Sequence, residues 1–278
     1  MLTTKQLNDI EILQKECERY DSLQLKLNWE MLRSRKTDQL DFLKYENEEL
    51  IAFLGVYSFG STAEVCGMVK PNERRKGYFN EMFNKAKETI EDQGFKKVLL
   101  NAPSSSDAAK TFLGKQGASY KFTEHQMHWQ TQLLDASDGF VLRHATIEDI
   151  DMRVRLDIEA FGVPEEDARA MESRIDSDED TDMLMIIVDD NTIGKVRVKR
   201  EEGEAWIYGF SILPEYQGKG IGRNVLRKIV NEQNELGHSV HLEVETKNAH
   251  ALKLYESVGF KAVHAQDYYE YQIKTDSK

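Results

Sequence analysis

One nine-residue pattern occurs twice in this 278-residue chain, and the repetition limits the fold more than any other feature. Pro71-Asn-Glu-Arg-Arg-Lys-Gly-Tyr-Phe79 and Pro214-Glu-Tyr-Gln-Gly-Lys-Gly-Ile-Gly222 lie 143 residues apart, and at that spacing the flanking strand and helix patterns coincide. Self-similarity at a fixed period marks an internal duplication. A chain of this length has room for two ordinary domains, each with its own core. Asp135-Ala-Ser-Asp-Gly139 is polar and turn-forming, which places an amino-terminal domain over 1–134 and a carboxy-terminal domain over 139–278.

In the first half, Thr3-x-x-Gln6 has the form of a capping box, and Leu7, Ile10, Leu13 and Cys17 follow at helical spacing. A second helix is expected over Leu23–Leu32. Strands are expected over Leu50–Tyr57 and Ala63–Val69, then a helix from Gly77 to Gln93, a strand over Lys97–Asn101 and a helix from Asp107. Strands near Gly117–Tyr120 and Glu124–Gln130 close this half. The second half restarts with strand Phe140–His144 and a helix capped by Thr146-x-x-Asp149 that reaches Phe161. Strands Asp182–Val188, Ile193–Lys199 and Ala205–Leu213 precede a helix from Gly220 to Leu236. Strand Val240–Val244, helix Ala249–Val258 and strands through Tyr271 complete it. Hairpin-like strands mixed with helical crossovers imply an α/β (α+β) fold, a mixed sheet with helices on both faces.

No apolar run approaches the roughly 20 residues of a membrane-spanning helix, and the polar start Met1-Leu-Thr-Thr-Lys-Gln-Leu-Asn-Asp-Ile10 lacks the apolar core of a secretory signal. A cytoplasmic protein without membrane attachment is the expectation. The net charge of −12 repels a phosphate backbone and suits a cationic substrate better than nucleic acid. Asp176-Ser-Asp-Glu-Asp-Thr-Asp182 reads as a solvated acidic loop. Cys17 and Cys66 are too few for a disulfide framework and read as buried thiols. The seven histidines lack ligand spacing, so no metal is expected, and Trp29, Trp129 and Trp206 read as core or cleft-wall aromatics.

Chemistry concentrates where strand Ala205–Leu213 turns through Gln217-Gly-Lys-Gly-Ile-Gly222 into a helix. Three glycines let backbone amides approach a ligand closely, and the helix start adds a positive dipole end, so a diphosphate is the expected ligand. A Walker A loop is excluded because Gly220 stands where Ser or Thr is needed, and a Rossmann fingerprint because the third glycine comes one residue early. Downstream, at a fixed distance, runs Leu242-Glu-Val-Glu-Thr-Lys-Asn-Ala-His-Ala-Leu-Lys-Leu-Tyr-Glu-Ser-Val-Gly-Phe260. Together these elements resemble the GNAT superfamily of N-acetyltransferases, in which a Q/R-x-x-G-x-G/A turn is followed by N-x-x-A-x-x-x-Y. The tandem arrangement resembles two-domain GNAT enzymes of the mycothiol synthase type, and the run to Phe260 is locally similar to ribosomal-protein alanine N-acetyltransferases.

That resemblance implies two tandem GNAT-type domains, each a mixed, mostly antiparallel sheet flanked by helices. It implies acetyl-CoA as cosubstrate, with Phe210, Ser211 and Ile212 along the pantetheine arm and a backbone amide polarising the acetyl carbonyl. Gln217, Gly218, Lys219, Gly220, Ile221, Gly222 and Arg223 would hold the pyrophosphate. Asn248 matches the asparagine on the CoA side, and Tyr255 the general acid that protonates the leaving thiolate. Glu243 matches the general base, with Glu245 and Glu204 as alternatives; other branches place the base where this chain has Trp206. The first half reads Arg74-Arg75-Lys76-Gly77-Tyr78-Phe79 at the turn and Leu113 in place of Tyr255, so it is expected to be degenerate. The implied function is direct acetyl transfer to the primary amine of a small molecule. Acetylation of a protein N-terminus and an acyl-CoA-binding module without turnover stand as alternatives, and either monomer or homodimer is compatible.

Overall fold

The computed structural model describes residues 1–37, 39–135, 138–175 and 181–273. In chain order the elements are α1 (Thr4–Asp21), α2 (Trp29–Ser34), β1 (Asp41–Glu46), β2 (Glu49–Phe59), β3 (Thr62–Val69), α3 (Tyr78–Asp92), β4 (Lys97–Pro103), α4 (Asp107–Lys115) and β5 (Ser119–Trp129). There follow β6 (Val141–His144), α5 (Ile150–Phe161), α6 (Glu165–Ile175), β7 (Thr181–Val188), β8 (Asn191–Glu201), β9 (Glu204–Ile212), α7 (Ile221–Glu235), β10 (Ser239–Glu245), α8 (Ala249–Val258) and β11 (Phe260–Tyr271). The chain folds into two compact units, Met1–Thr123 with Ala265–Lys278, and Glu124–His264. It passes from one unit to the other within β5 and again within β11.

In the first unit β1, β2 and β3 pair antiparallel, β3 pairs parallel with β4, and β4 pairs antiparallel with Gln266–Tyr271 of β11. The buried run Leu50–Tyr57 of β2 has helices to serve on both faces. Ala52, Leu54 and Val56 pack with Met82, Phe83, Ala86 and Ile90 of α3, whose spacing makes one apolar stripe. Phe53 and Tyr57 pack with Ile10, Leu13 and Cys17 of α1. In the second unit β6, β7, β8 and β9 pair antiparallel, β9 pairs parallel with β10, and β10 pairs antiparallel with Glu124–His128 of β5. Val225, Leu226, Ile229 and Val230 of α7 supply the matching stripe against Ile207, Leu242 and Val244.

The capping box at Thr3 forms in both directions. Of the helix expected over Leu23–Leu32 only Trp29–Leu32 is helical, as the start of α2, because α1 ends on Ser22 in the left-handed region (φ 52°) and the chain between is not helical. The Asn28 side chain restarts the helix by accepting the Met31 N–H at 2.9 Å. The apolar residues between serve instead as cover, Leu27 buried and Leu25 packed against the same core. The two strands expected near 117–120 and 124–130 are one, since no turn residue interrupts Ser119–Trp129. Strand β1 and helix α6 were not anticipated. Both cysteines are buried, and burial pushes the Cys17 thiol up to about 11 and Cys66 up to about 12. Ala136 and Ser137 of the expected linker, and residues 176–180 of the acidic stretch, lie outside the described residues. Asp182 belongs to β7 and pairs with Arg200 at 2.6 Å. Among the described residues no helix is long and apolar enough to cross a membrane.

The Thr146-x-x-Asp149 box forms at a short 3-10 turn that leads into α5. The Arg143 guanidinium bonds both Asp149 oxygens at 2.7 Å and, with the Thr146 N–H, holds that carboxyl down at about 2. An acid with a lowered folded pKa stabilises above its unfolded value and loses that contribution as pH falls through the folded one. Acid titration of Asp149→Asn should therefore show a shallower loss of thermal stability than wild type between about pH 4 and about pH 2.

Candidate active site

In each unit two parallel strands pair at their starts and then separate. The β3–β4 ladder ends at Val65 and Leu100, and the β9–β10 ladder at Ile207 and Leu242. The two copies part company at this opening. In the first unit β2 and β3 pair residue for residue from Phe59 and Thr62 to Ala52 and Val69. In the second, Arg197 pairs with Tyr208 and Lys195 with Ser211, so Gly209 and Phe210 together oppose Val196. This is a β-bulge, with Gly209 at φ 55° supplying the left-handed residue. The extra residue shifts the spacing between copies: Ala63 and Val65 match Ala205 and Ile207, 142 residues on, whereas Gly67 and Phe79 match Phe210 and Gly222, 143 residues on. The single spacing read from the sequence thus holds only from the bulge through the turn and its helix.

Beyond β9 the chain makes a short 3-10 turn and enters α7 through Gln217–Gly220. Gly218 (φ 73°) and Gly220 (φ 83°) are both left-handed, where a side chain would strain the backbone. The Gln217 side chain donates to the Ile212 carbonyl at 2.7 Å, clamping the turn to the strand. The first backbone bond of α7 runs from Asn224 N–H to the Gly220 carbonyl, leaving the N–H groups of Ile221, Gly222 and Arg223 facing outward. Arg223 donates to Ser257 at 3.1 Å, and the Lys219 ammonium lies 5.1 Å from the Tyr216 ring centroid. Gly218 to Arg223 thus present the amides and dipole end that suit a diphosphate. In the first unit Gly77 (φ 92°) keeps this geometry, and Arg75 takes the left-handed position at φ 67°. Arg74 is committed to both Asp21 oxygens, at 2.9 and 2.6 Å, and to the Val69 carbonyl.

Phe210 and Ile212 face the core shared with α7 and α8, while Ser211 points to the other face and is buried. Tyr255, on α8, is 8% exposed, its ring edge-on to Phe260 at 6.0 Å, and burial pushes its hydroxyl up to about 12. It therefore stays protonated across the neutral range. Asn248 caps α8 by accepting the Ala251 N–H at 3.0 Å, which leaves its amide nitrogen for a ligand. Leu242 and Val244 share Tyr255's core, so Glu243 and Glu245 lie on the opposite face of β10, Glu243 half-buried and Glu245 exposed. Glu204 accepts from the Trp206 indole at 2.8 Å. Along Glu243's face the rings of Tyr208, Trp206, His241 and His128 stack, with neighbouring centroids 6.1, 4.9 and 4.6 Å apart. Burial lowers the His241 pKa against the opposing pull of Glu204, with His128 lowering it further. This stack had no signal in the sequence beyond Trp206, because its members come from three separate strands.

Sequence reasoning also missed a group of buried charges beneath β9: Arg153 and Asp157 of α5, Glu172 of α6 and Lys195 of β8, each 0–1% exposed. Lys195 lies 2.7 Å from Asp157 and bonds Glu172, which also accepts from Arg153 at 2.6 Å. Burial lifts the Asp157 carboxyl to about 6 against the pull of Lys195. Burial also opposes ionisation of Glu172, but the charge of Lys195 and its hydrogen bonds, including that from Arg153, outweigh it and hold that carboxyl below its usual range. Among the described residues no cluster of three or more His, Cys, Asp or Glu is placed to hold a metal.

A larger cavity lies in the other copy. A volume of about 470 Å³ in the first unit is lined by Cys17, Leu25, Met68, Phe79, Asn101 and Leu113 among others. In the second unit a cavity of about 10 Å³ sits beside Ile212 and Gln217, and Phe210, Ile212, Ile221 and Leu254 pack onto the core. The copies also exchange bulk. A Cβ on Gly67 would come within 2.9 Å of the Phe79 ring, and one on Gly222 within 3.5 Å of Phe210. An aromatic from the helix start thus fills in one unit the space that an aromatic from the strand fills in the other.

Two family models match the chain: the GNAT acetyltransferase domain over residues 144–275, and the acetyltransferase (GNAT) family over 5–118. The chain is 38% identical over 68 residues to the [ribosomal protein bS18]-alanine N-acetyltransferase of Escherichia coli K12, covering 24% of this chain and 46% of that protein. It is 33% identical over 63 residues to the spermine/spermidine N(1)-acetyltransferase of Bacillus subtilis 168, covering 22% and 41%. The chain thus spans less than half the length of these curated relatives. A GCN5-related N-acetyltransferase from Sphaerobacter thermophilus has a similar fold, with a TM-score of 0.80 at 19% identity, covering 98% of this chain and 94% of that one. With each half matched separately, the chain belongs to the GNAT acetyltransferase family and carries its domain twice.

Proposed function

We propose that this protein is an acetyl-CoA-dependent N-acetyltransferase whose second repeat, within 139–278, transfers acetyl to the primary amine of a small molecule, while the first, within 1–134, does not turn over. The observation that carries the assignment to the second unit is the bulge at Gly209–Phe210, which the first unit lacks. A bulge leaves a backbone N–H unpaired at the opening between β9 and β10, where it can polarise a thioester carbonyl. In this reading the amides of Gly218–Arg223 take the pyrophosphate, Phe210–Ile212 the pantetheine arm, and the Asn248 amide nitrogen its CoA-side contact.

Acetyl-CoA supplies the acetyl group and the leaving thiolate. Glu243 takes a proton from the acceptor ammonium, directly or through water, and the free amine attacks the thioester carbonyl. The carbon–sulfur bond breaks as the carbon–nitrogen bond forms, Tyr255 protonates the departing sulfur, and the second proton released from the nitrogen restores the tyrosine through solvent. Tyr255 and Glu243 lie on opposite faces of the sheet, as acid and base on the two sides of such an opening should. The carboxylates of Glu243, Glu245 and Glu204, with the rings of Trp206 and Tyr208 nearby, suit a cationic acceptor. The net charge of −12 favours the same class. A cytoplasmic location accords with soluble cosubstrate and acceptor.

A second reading keeps ligand binding without turnover in the first unit, and the cavity of about 470 Å³ favours it. Transfer of an isotopic acetyl group into a cell extract, with products separated into small molecules and proteins, tests the main reading. Label in the small-molecule fraction supports it; label in protein assigns the activity to protein N-termini, as the ribosomal-protein relative's name would suggest. Titration with acetyl-CoA decides the second: two equivalents bound by wild type and one by Gly77→Val would place a ligand in the first unit.

A further inference from the structure

The two units present one ladder in two forms, which serves as an internal control. In the first unit β3 sends apolar side chains to both faces where it meets the opening, Val65 joining the core under α3 while Cys66 and Met68 join the core under α1, and the ladder is regular. In the second unit the bulged end of β9 sends apolar side chains to one face only. Ile207 before the bulge and Phe210 and Ile212 after it share the α7 core, while Ser211 lies on the opposite face. Where the first unit pairs Phe53 with Met68, the second pairs Lys195 with Ser211.

Lys195 belongs to the buried network. Its ammonium lies 2.7 Å from Asp157 and bonds Glu172, and Arg153 donates to the Glu172 carboxylate at 2.6 Å and to its backbone carbonyl at 3.0 Å. Among the described residues two cations and two anions meet here, and they tie α5, α6 and β8 into one piece. A strand has a side-chain period of two, so straightening the bulge into a regular ladder with every residue kept would turn Phe210 and Ile212 toward the four charges and Ser211 into the apolar core. Buried charges facing hydrocarbon carry a heavy desolvation penalty. Two apolar faces, as in the first unit, exert no such penalty, and there the strand is unbulged.

We infer that the Arg153–Asp157–Glu172–Lys195 network is the positioning element of the transfer site: it keeps β9 in its bulged register and so holds the backbone N–H that meets the acetyl group. The inference rests on the second unit as the transfer centre, but the bulge can be read without turnover. The double variant Lys195→Met/Asp157→Asn removes one cation and one anion and leaves the Arg153–Glu172 pair. Exchange of a buried ion pair for neutral groups of similar volume is often tolerated, and this variant should melt near wild type.

Amide exchange over residues 208–212 should quicken at least about tenfold in the double variant while residues 183–186 of β7 keep wild-type protection. Turnover should fall at least about tenfold with the KM for acetyl-CoA changed less than about threefold, the signature of an interaction used in the transition state. Lys195→Arg, which keeps the charge, should retain wild-type exchange and most of the turnover, and it answers the question if the double variant does not fold. Wild-type exchange over 208–212 in the double variant, or exchange as fast in Lys195→Arg as in the double variant, overturns the inference. Absence of acetyl transfer by wild type would instead overturn the reading of the site and leave the exchange result to judge the network.

Discussion

Tyr255→Phe should lower turnover about 10²-fold or more, the usual scale of lost acid–base catalysis, and leave acetyl-CoA affinity nearly unchanged. The substitution removes one oxygen from a side chain that is 8% exposed and packed against Phe260, so the fold should be untouched. Leu113 occupies the matching place in α4, counted from the glycine that follows each helix, and Leu113→Ala should leave turnover at the wild-type level. Because burial holds the Tyr255 hydroxyl at about 12, the wild-type rate should show no alkaline fall from this group below about pH 11. Measurement of kcat and of acetyl-CoA binding for the three proteins over pH checks each part. Unchanged turnover in Tyr255→Phe would remove this residue from the mechanism.

Glu172→Ala should have the largest effect on stability. It strips the shared carboxylate from Arg153 and Lys195, which are 0% and 1% exposed, and so removes one anion from a buried group of charges. Breaking a buried pair by removing one partner costs about 3–5 kcal/mol, because the remaining charge is uncompensated. Thermal or urea unfolding should place Glu172→Ala far below both wild type and the charge-balanced Lys195→Met/Asp157→Asn variant. Equal stability of the single and double variants would mean that charge compensation is not what the network supplies.

The duplication, the glycine turn and the core strands other than β1 were legible because each depends on local spacing that packing then uses. Val225, Leu226, Ile229 and Val230 read as a helical stripe and bury as one. What escaped was polar and buried. Helix α6 reads Glu-Glu-Asp-Ala-Arg-Ala-Met-Glu-Ser-Arg-Ile, with no apolar stripe, since Glu172 is turned inward to meet cations from α5 and β8. Strand β1 opens on Asp41, whose carboxylate is buried against Arg35 at 2.7 Å, so its inward face looks like a surface. The bulge changes the repeat spacing by one residue, which an alignment on the turn alone conceals. The candidate acid, turn and asparagine were legible as a motif. The stacked rings beside Glu243 and the network under Ser211 were not, because their members meet only through strand pairing.

The most direct test of the central claim compares two glycine variants in the acetyl-transfer assay. Gly220 and Gly77 hold left-handed backbone at φ 83° and 92° in the two turns, and a Cβ on either would meet no atom within 4 Å. Valine at either position therefore acts through backbone strain in its own turn. The account predicts that Gly220→Val abolishes acetyl transfer while Gly77→Val retains it. Loss in Gly77→Val with activity kept in Gly220→Val would contradict it and move the working centre to the first unit.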